Sequence, residues 1–157
     1  SKTWGGTGWD YATAISLGSA GNIYVAGYTN IISLWGGDDQ TLVKYNSSGV
    51  EQWSKTWGGT ANDQARDVAL DTAGNIYVAG STYSTGLTAG SYDQTLVKYN
   101  SSGIEQWSKT WGGTGWDQAY ALALDTAGNI YVAGYTNIIS LWRGADQTCR
   151  KYNSSAV

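Results

Sequence analysis

The chain has 157 residues, the length of one domain, and a formal net charge of −3. That charge argues against a nucleic-acid partner, which needs a basic patch, and no apolar run reaches the roughly 18 residues of a membrane-spanning helix. The chain holds 22 glycines, 9 tryptophans and 12 tyrosines but no proline, phenylalanine or methionine. This composition favours strands and turns over helices.

A single unit of sequence is repeated three times along the chain. The phrase SKTWGG begins at Ser1, Ser54 and Ser108, and the phrases AGNIYVAG and KYNSS recur at offsets of 53 or 54 residues. Repeats of this length are typical of folds that stack copies of one supersecondary unit. The whole chain is therefore three copies of one structural element.

The pattern of residues in each copy predicts four short strands, and it is clearest in the second copy. These strands cover 65–71, 76–82, 94–99 and 104–111, and they are separated by the turns TAGN and NSSG and by one long loop. Glycine and asparagine in the turns accept positive φ, and no window keeps a helical period for three turns. Four antiparallel strands in about 40–50 residues are typical of a β-propeller blade.

The phrases DTAGNIYVAG, DQTLVKYNSSG and EQWSKTWGG resemble the SBBP β-propeller repeat, a family found mainly in bacterial and archaeal proteins and similar to NHL-type blades. The resemblance covers essentially the whole chain. It implies an all-β propeller of four-stranded antiparallel blades, with the DTAG strand innermost and the EQWSKTW strand outermost. It implies little about activity, because propellers host many functions.

In chain order, the resemblance implies an outer strand at 1–6, a first blade at 7–59, a second at 60–113, and a third at 114–157 that lacks its outer strand. Known propellers hold four to eight blades, so three blades are not expected to close a ring. We expect the leading strand to complete the third blade of another copy, which gives a six-bladed homodimer. A homotrimer is the second choice, and a fragment of a larger extracellular propeller is the third.

The residues expected at this contact between copies lie on the leading strand and on the last strand of the third copy. They are Ser1, Lys2, Thr3, Trp4, Cys149, Arg150 and Tyr152. In the third copy TCRKY replaces TLVKY, so Cys149 stands for leucine and Arg150 for valine. Because a charge at a packed position is costly unless it is paired or at an edge, Arg150 is expected to reach solvent or an acidic partner. Cys149 is expected to be a small buried hydrophobic residue.

Tryptophan and aspartate recur at fixed places in the copies. Trp53 and Trp57 lie four residues apart, hence on one face of a strand, and are expected to pack between blades, as are Trp107 and Trp111. Two sets of aspartates precede strands and are expected to bond turn amides rather than a metal. They are Asp10, Asp63 and Asp117, and Asp39, Asp93 and Asp146.

The copies differ in two segments that change together. The first and third copies share GTGWD and YTNIISLW, whereas the second has GTAND and STYSTGLTAGSY. Both segments are expected on one face of a propeller, where they form either a hydrophobic cluster that stabilises a loop or an exposed aromatic platform for a glycan or a protein. The candidate ligand-binding residues are Trp9, Asp10, Ile31, Trp35, Trp116, Asp117, Ile138 and Trp142.

The sequence offers little for catalysis, and we expect no enzyme, no cofactor and no metal site. Histidine, the usual base and metal ligand, is absent, and GGTG is not followed by the Gly-Lys-Ser/Thr of a phosphate loop. Asp38 and Asp39 are adjacent on a strand and therefore point to opposite faces. The expected function is a scaffold or interaction module, with a lectin-like binder as the alternative. The composition hints at an extracellular or cell-surface protein.

Overall fold

The computed structural model describes residues 3, 5, 7–30, 37–84, 90–137 and 144–153 of the chain. Within these ranges the chain forms eleven strands and one 3-10 turn at Ser19–Gly21. The strands are β1 (Asp10–Leu17), β2 (Ile23–Asn30), β3 (Asp38–Tyr45), β4 (Glu51–Trp57), β5 (Asp63–Leu70), β6 (Ile76–Ser84), β7 (Ser91–Tyr99), β8 (Glu105–Trp111), β9 (Asp117–Leu124), β10 (Ile130–Thr136) and β11 (Asp146–Tyr152).

The strands form three antiparallel sheets in sequence order. The first sheet is β1-β2-β3-β4, the second is β5-β6-β7-β8, and the third contains β9, β10 and β11 among the described residues. Neighbouring strands within each sheet are antiparallel and follow one another in the chain. The predicted all-β fold of antiparallel sheets, one for each repeat, is confirmed.

Alternation along the strands gives the second sheet two buried faces. Ile76 and Val78 lie in a cluster with Leu42 of the first sheet. Tyr77, between them in sequence, lies in a second cluster with Leu122 of the third sheet. Successive side chains of a strand point to opposite faces, so the AGNIYVAG phrase supplies both contacts at once.

The tryptophans of the outer strands join neighbouring sheets. The ring centroid of Trp57 on β4 lies 5.5 Å from that of Tyr99 on β7, and Trp111 on β8 lies 5.4 Å from Tyr152 on β11. Aromatic pairs at this spacing add to the stabilisation that burial provides. The predicted packing of these two tryptophans between blades is confirmed.

A glutamine on the third strand of the first and second repeats links neighbouring sheets through polar contacts. The Gln40 amide donates hydrogen bonds to the Ser81 carbonyl and the Thr95 hydroxyl, both at 3.3 Å. Gln94 repeats this arrangement one sheet further on, and its bond to Thr148 is 3.1 Å long. A buried amide is stable only when it is hydrogen-bonded, so each of these contacts depends on the next sheet being present.

A single aspartate holds the turn between the first two strands of the second sheet. Asp71 accepts hydrogen bonds from the amides of Ala73 and Asn75, from the Asn75 side chain and from the Tyr77 hydroxyl, at 2.7–3.0 Å. Burial alone would raise the pKa of Asp71, but the bonds from Asn75, Tyr77 and Ala73 outweigh it and lower that pKa. The turn is therefore stabilised by the charged carboxylate.

Asp71→Asn is expected to destabilise the protein at neutral pH but not in acid. A depressed folded-state pKa stabilises the fold above the unfolded-state pKa, and this stabilisation is lost as the pH falls through the folded-state value. We expect a loss of about 1–3 kcal/mol at pH 7, from the hydrogen bonds of a charged acceptor, and a much smaller difference near pH 2–3. Denaturant unfolding at both pH values measures it.

Asp146→Asn is the matched control for this charge change, because Asp146 is exposed. Surface substitutions of this kind usually change stability by less than about 0.5 kcal/mol. A loss for Asp71→Asn that is the same at both pH values would contradict the role assigned to the charge.

The two ends of the sheet array are open. Ile15 on β1 is 67% exposed, whereas Val68 and Leu122, at the same place in the second and third copies, are 4% and 9% exposed. At the other end Cys149 is exposed, although Leu42 at the same place in the first copy is fully buried. The expectation that Cys149 is buried is therefore wrong for the single chain, because no further sheet among the described residues covers that face of β11.

Candidate functional site

The first strands of the three sheets, β1, β5 and β9, lie side by side and share one irregularity. In each strand the pairing register with the next strand skips one residue, which is a β-bulge. The skipped residues are Thr13, Arg66 and Tyr120. A bulged residue is left out of the ladder, and bulges often redirect a side chain towards a functional site.

Arg66 and four tyrosines form a continuous row across the three sheets. The guanidinium carbon of Arg66 lies 5.9 Å from the ring centroid of Tyr28 and 5.7 Å from that of Tyr120. Tyr11 stacks on Tyr28 at 4.8 Å, and Tyr135 stacks on Tyr120 at 5.8 Å. We call these five residues the tyrosine–arginine row. A cation between two aromatic faces is attracted by both rings.

Side-chain amides connect the row to the polar groups around it. Arg66 Nη2 donates to Gln64 Oε1 at 2.5 Å, and Gln64 Nε2 donates to Asp38 Oδ2 at 2.7 Å. The Tyr120 hydroxyl donates to Gln118 Oε1 at 2.8 Å. Arg66 Nε is buried without a hydrogen-bond partner. The guanidinium is thus fixed in place with part of its donor capacity unused.

The surroundings of Tyr28 and Tyr135 favour the neutral form of these two phenols. Burial raises the pKa of Tyr28, and the Arg66 charge opposes this while Asp38 and Tyr11 add to it. Burial also raises the pKa of Tyr135, with further contributions from Tyr120 and Asp117. Arg66 is always protonated in proteins, so the row presents one positive charge between neutral aromatic rings.

Two of the four tryptophans predicted for an aromatic platform lie within the described residues, and both are exposed. Trp9 is 72% exposed and Trp116 is 50% exposed. The backbone carbonyl of Trp9 accepts a hydrogen bond from the backbone amide of Asn30 at 2.7 Å, and that of Trp116 accepts one from the backbone amide of Asn137 at 2.9 Å. The remaining members of the predicted platform lie outside the described residues. They are Ile31, Trp35, Ile138 and Trp142.

Trp116 has one contact that sequence reasoning missed. Its ring packs edge-on against Tyr92 of the second sheet, with the centroids 5.6 Å apart, and Tyr92 in turn packs against Tyr83. Tyr92 belongs to the segment in which the second copy differs from the others. The difference between copies therefore serves a contact between neighbouring sheets at this place.

The aspartates at the start of the first strands hold loops. Asp117 is buried and accepts a hydrogen bond from the Gly113 amide at 2.8 Å, and Asp63 accepts one from Gly59 at 2.7 Å. Asp10 accepts a hydrogen bond from the Thr29 hydroxyl. The predicted bonding of loop amides is confirmed for Asp63 and Asp117. Asp117 is corrected as a ligand-binding candidate, because its carboxylate lies beneath the surface and is used by the loop.

Acidic side chains approach one another between the first two sheets. Burial raises the pKa of Asp39, and the charges of Asp63 and Asp38 add to this. Burial also raises the pKa of Asp63, although bonds from Thr82 and Gly59 oppose it. Calcium takes about six or more oxygen ligands, and the described part of the chain holds no group of three acidic, histidine or cysteine residues placed for a metal ion.

The residues predicted for contact between copies separate into two sets. Arg150 lies with its guanidinium carbon 5.5 Å from the Trp111 ring, and Tyr152 packs on the same tryptophan. Their side chains therefore face the second sheet, and Arg150 is also exposed, as expected from the cost of burying its charge; their contact with another copy stays a prediction. Cys149 precedes Arg150 on β11 and points to the opposite, open face. Thr3 is exposed and lies outside any strand. Ser1, Lys2 and Trp4 lie outside the described residues.

The tyrosine–arginine row was not predicted from the sequence. The one signal in the sequence was that equivalent positions of three otherwise similar strands carry different residues, Thr13, Arg66 and Tyr120. Simple alternation along the strand would point the side chain at this position towards a packed face of the sheet. The bulge turns that side chain away from the packed face.

Comparisons with known proteins agree with the three-sheet architecture. The β-propeller repeat model of the SBBP family matches residues 52–88 and 106–139. The chain is also 30% identical over 110 residues to the regulatory protein FlaEY of Caulobacter vibrioides, and this match covers 63% of the chain and 12% of that relative. The match thus takes in about an eighth of the relative's length. Among the described residues no helix is long and apolar enough to cross a membrane. Both matched segments fall within the repeated units, in agreement with the SBBP-type β-propeller repeats inferred from the sequence.

Proposed function

We propose that this protein is a non-enzymatic propeller scaffold that joins a second copy of itself head to tail to complete a ring. One observation carries the proposal: the array exposes, at its two ends, the same two faces that its internal contacts bury. Two copies would give six blades, which is within the usual range for propellers. A ring of three copies is the second choice, because head-to-tail contacts close a ring whenever the rotation between neighbouring copies is a whole fraction of 360°.

The leading face is formed by β1. Ile15 and Leu17 are largely exposed. The equivalents of Ile15, Val68 and Leu122, are buried against the preceding sheet, and the equivalents of Leu17, Leu70 and Leu124, are partly buried there. Ala12 is also exposed, in contrast to Ala65. Full burial of Ile15 and Leu17 contributes about 1.5–3 kcal/mol each, so this face gains substantially from a covering sheet.

The trailing face is formed by β10 and β11. Ala133 and Cys149 are exposed, whereas their equivalents in the second copy, Ala79 and Leu96, are fully buried. A trailing face placed on a leading face would reproduce the contact that already occurs between the first and second sheets. The two surfaces are complementary in this sense, although they are far apart in sequence.

The trailing face also carries an unused copy of the glutamine contact. Gln147 stands at the place of Gln40 and Gln94, and it is exposed. Gln40 bonds to the Ser81 carbonyl and the Thr95 hydroxyl of the next sheet. The same places in the first sheet, at the leading end, are occupied by the Tyr28 carbonyl and the Thr41 hydroxyl. Head-to-tail contact would place these groups within reach of one another and would satisfy the Gln147 amide.

The edge strand of the third sheet suggests how the leading segment takes part. Within the described residues β11 pairs with β10 alone. In the first sheet Leu42 pairs with Lys55, and the equivalent pair recurs in the second sheet. Cys149 occupies the place of Leu42, and Lys2 occupies the place of Lys55. A donated leading strand in this register would put Lys2 of one copy opposite Cys149 of the other.

Lys2→Cys is expected to form a disulfide with the natural Cys149 of a second copy. Directly opposed residues of antiparallel strands bring their Cβ atoms to about 4.5–5.5 Å, which is within reach of a disulfide after a small adjustment. Mild oxidation followed by non-reducing electrophoresis should give a covalent species of two chains or a closed ring, and light scattering of the wild-type protein should give twice the chain mass of 16.7 kDa.

Two variants control this experiment. Lys2→Cys with Cys149→Ser removes the natural thiol, and Thr3→Cys places the new thiol on the other side of the same strand; neither should cross-link efficiently. The proposal would be overturned if the wild-type particle had the mass of a single chain and the Lys2→Cys variant formed no disulfide under oxidation. That outcome would favour a piece of a longer propeller. A disulfide within one chain would overturn it as well.

The groups in the tyrosine–arginine row support a non-enzymatic role. Tyr28 and Tyr135, whose phenol pKa is raised, and the permanently charged guanidinium of an arginine are poor proton-transfer groups near pH 7. They are good hydrogen-bonding and stacking groups. A hydrolase assay on glycoside and ester substrates should therefore give no turnover, and turnover that is lost in Asp38→Asn would contradict this assignment.

A second candidate role is binding of a glycan. The observation that favours it is the exposure of aromatic side chains on the first strands and just before them: Trp9, Tyr11, Trp116 and Tyr120. Aromatic faces pack on the C–H faces of sugars, and an exposed apolar patch with a polar rim often marks a binding site. Trp9→Ala is the simplest test, because Trp9 is the more exposed tryptophan, and unchanged glycan binding by a folded variant would remove it from the site.

A further inference from the structure

We propose that the tyrosine–arginine row binds a carboxylate-bearing sugar, a uronic acid residue within a largely neutral oligosaccharide, and that Arg66 receives the carboxylate. This inference goes beyond the scaffold role and deepens the glycan-binding role. It does not depend on a second copy, because all five residues of the row belong to one chain.

The charge of Arg66 is placed without an acidic partner. Among the described residues no carboxylate pairs with its guanidinium, and its hydrogen bond goes to a neutral amide, Gln64. Planar arginine side chains bind carboxylates through two parallel N–H···O bonds. The contacts of the guanidinium with the rings of Tyr28 and Tyr120 restrict this side chain, which lowers the entropy lost when a ligand binds.

The buried Nε of Arg66 defines the direction of approach. This nitrogen faces the protein interior and has no hydrogen-bond partner, whereas one of the two terminal nitrogens is bonded to Gln64. A carboxylate is therefore expected to bind at the terminal nitrogens and not at Nε.

The surroundings of Arg66 favour a sugar over a simple anion. Tyr11 and Tyr120, at the two ends of this arrangement, are each about half exposed, Gln64 accepts a bond from the guanidinium, and Gln118 accepts one from the Tyr120 hydroxyl. A few polar groups set among aromatic side chains are typical of small-molecule sites. A pyranose ring with a carboxylate uses all three kinds of group, whereas inorganic phosphate would use the guanidinium alone.

Nearby negative charge limits the ligand to a low charge density. The carboxylate of Asp38 lies one hydrogen-bonded residue away from Arg66, and it is held there by Gln64 and Asn30. The chain as a whole carries a net charge of −3. Like charges close together are costly, so a polymer with a carboxylate on every sugar is disfavoured relative to an isolated uronate.

The other two copies do not repeat the site. Thr13 and Tyr120 occupy the bulge positions of the first and third sheets, and neither carries a charge. Thr13 instead donates a hydrogen bond to the Ala65 carbonyl of the second sheet at 2.9 Å. We therefore expect one uronate site for each chain.

Calorimetric titration with a glucuronate-containing oligosaccharide and with the neutral glucose oligosaccharide of the same length tests the proposal. The wild-type protein should bind the acidic ligand roughly tenfold or more tightly than the neutral one, because a hydrogen bond to a charged group is worth about 1.5–3 kcal/mol. Arg66→Gln should remove that preference, and Arg66→Lys, which keeps the charge but loses the planar fork, should recover only part of it.

Arg150→Gln is the matched control, because Arg150 also stacks on an aromatic ring but lies away from the row. Circular dichroism verifies that each variant is folded, and Tyr11→Ala offers a second variant that leaves the guanidinium in place and should weaken both ligands. Equal binding of the acidic and neutral oligosaccharides, an unchanged preference in Arg66→Gln, or tighter binding of inorganic phosphate or an acidic peptide would overturn the assignment, as would no binding at millimolar concentration. The particle mass is measured separately, so failure of the scaffold proposal and failure of this one are distinguishable.

Discussion

Leu96→Ala is expected to lower the free energy of unfolding by about 2–5 kcal/mol, through the loss of apolar contact and the cavity that remains. Leu96 on β7 is fully buried and lies in the cluster that joins the second and third sheets. Its neighbours there include Tyr77 and Leu122, which belong to different strands and have little freedom to close the gap. Chemical denaturation followed by tryptophan fluorescence measures the loss.

Ile104→Ala is the control for this substitution. Ile104 follows a turn and is exposed, so its truncation should change stability by less than about 0.5 kcal/mol. Similar effects of the two substitutions would mean that the contact between sheets contributes little to the stability of the chain.

Gly80→Ala is expected to destabilise the protein by about 1–3 kcal/mol or more, as overpacking does when backbone must move. Gly80 lies opposite the bulge of β5, where a Cβ atom would sit 2.1 Å from the Gln64 carbonyl oxygen and 2.9 Å from Ala65 Cα. These are backbone atoms and cannot rotate away, so the bulge must shift and Arg66 must shift with it. Thermal unfolding measures the effect on stability.

Gly144→Ala controls for the change of residue type, because a Cβ atom at Gly144 would meet no atom within 4 Å. This variant should be as stable as the wild-type protein or slightly more stable, since alanine restricts the unfolded chain. If Gly80→Ala were equally stable, the close approach at the bulge would not constrain the fold.

The strands and their order could be predicted because the chain repeats the same pattern of alternating strands and glycine-rich turns three times. Alternation in the AGNIYVAG phrase and glycine-rich turns define the strands, and the four-residue spacing of Trp53 and Trp57 places both on one face. The packing of Trp57 and Trp111 and the loop bonds of Asp63 and Asp117 follow from these local rules.

The exposure of Arg150 on the last strand was predicted from the sequence, but the ring on which it packs was not. Arg150 stands at the place of Val97, which lies in the cluster facing the preceding sheet. The same parity turns Arg150 towards the second sheet, where its charge is accommodated on the face of Trp111. The sequence argument used the cost of a buried charge and did not use the strand parity that identifies this ring.

The tyrosine–arginine row could not be predicted, because it depends on a register shift that no local pattern reveals. Without the bulges, Tyr11 and Arg66 would follow simple alternation, and nothing in the sequence would bring Tyr28 and Tyr120 to opposite sides of one guanidinium. The loop residues Ile31, Trp35, Ile138 and Trp142 stay predictions.

The bulges separate the part of each repeat that builds the sheet from the part that can vary in chemistry. A residue that makes no ladder contact can be exchanged for one of another size or charge without altering strand pairing, and the three copies already carry threonine, arginine and tyrosine there. Duplication of an identical repeat would thus leave one position per copy open to mutation. New ligand preferences could arise from single codon changes on an unaltered backbone.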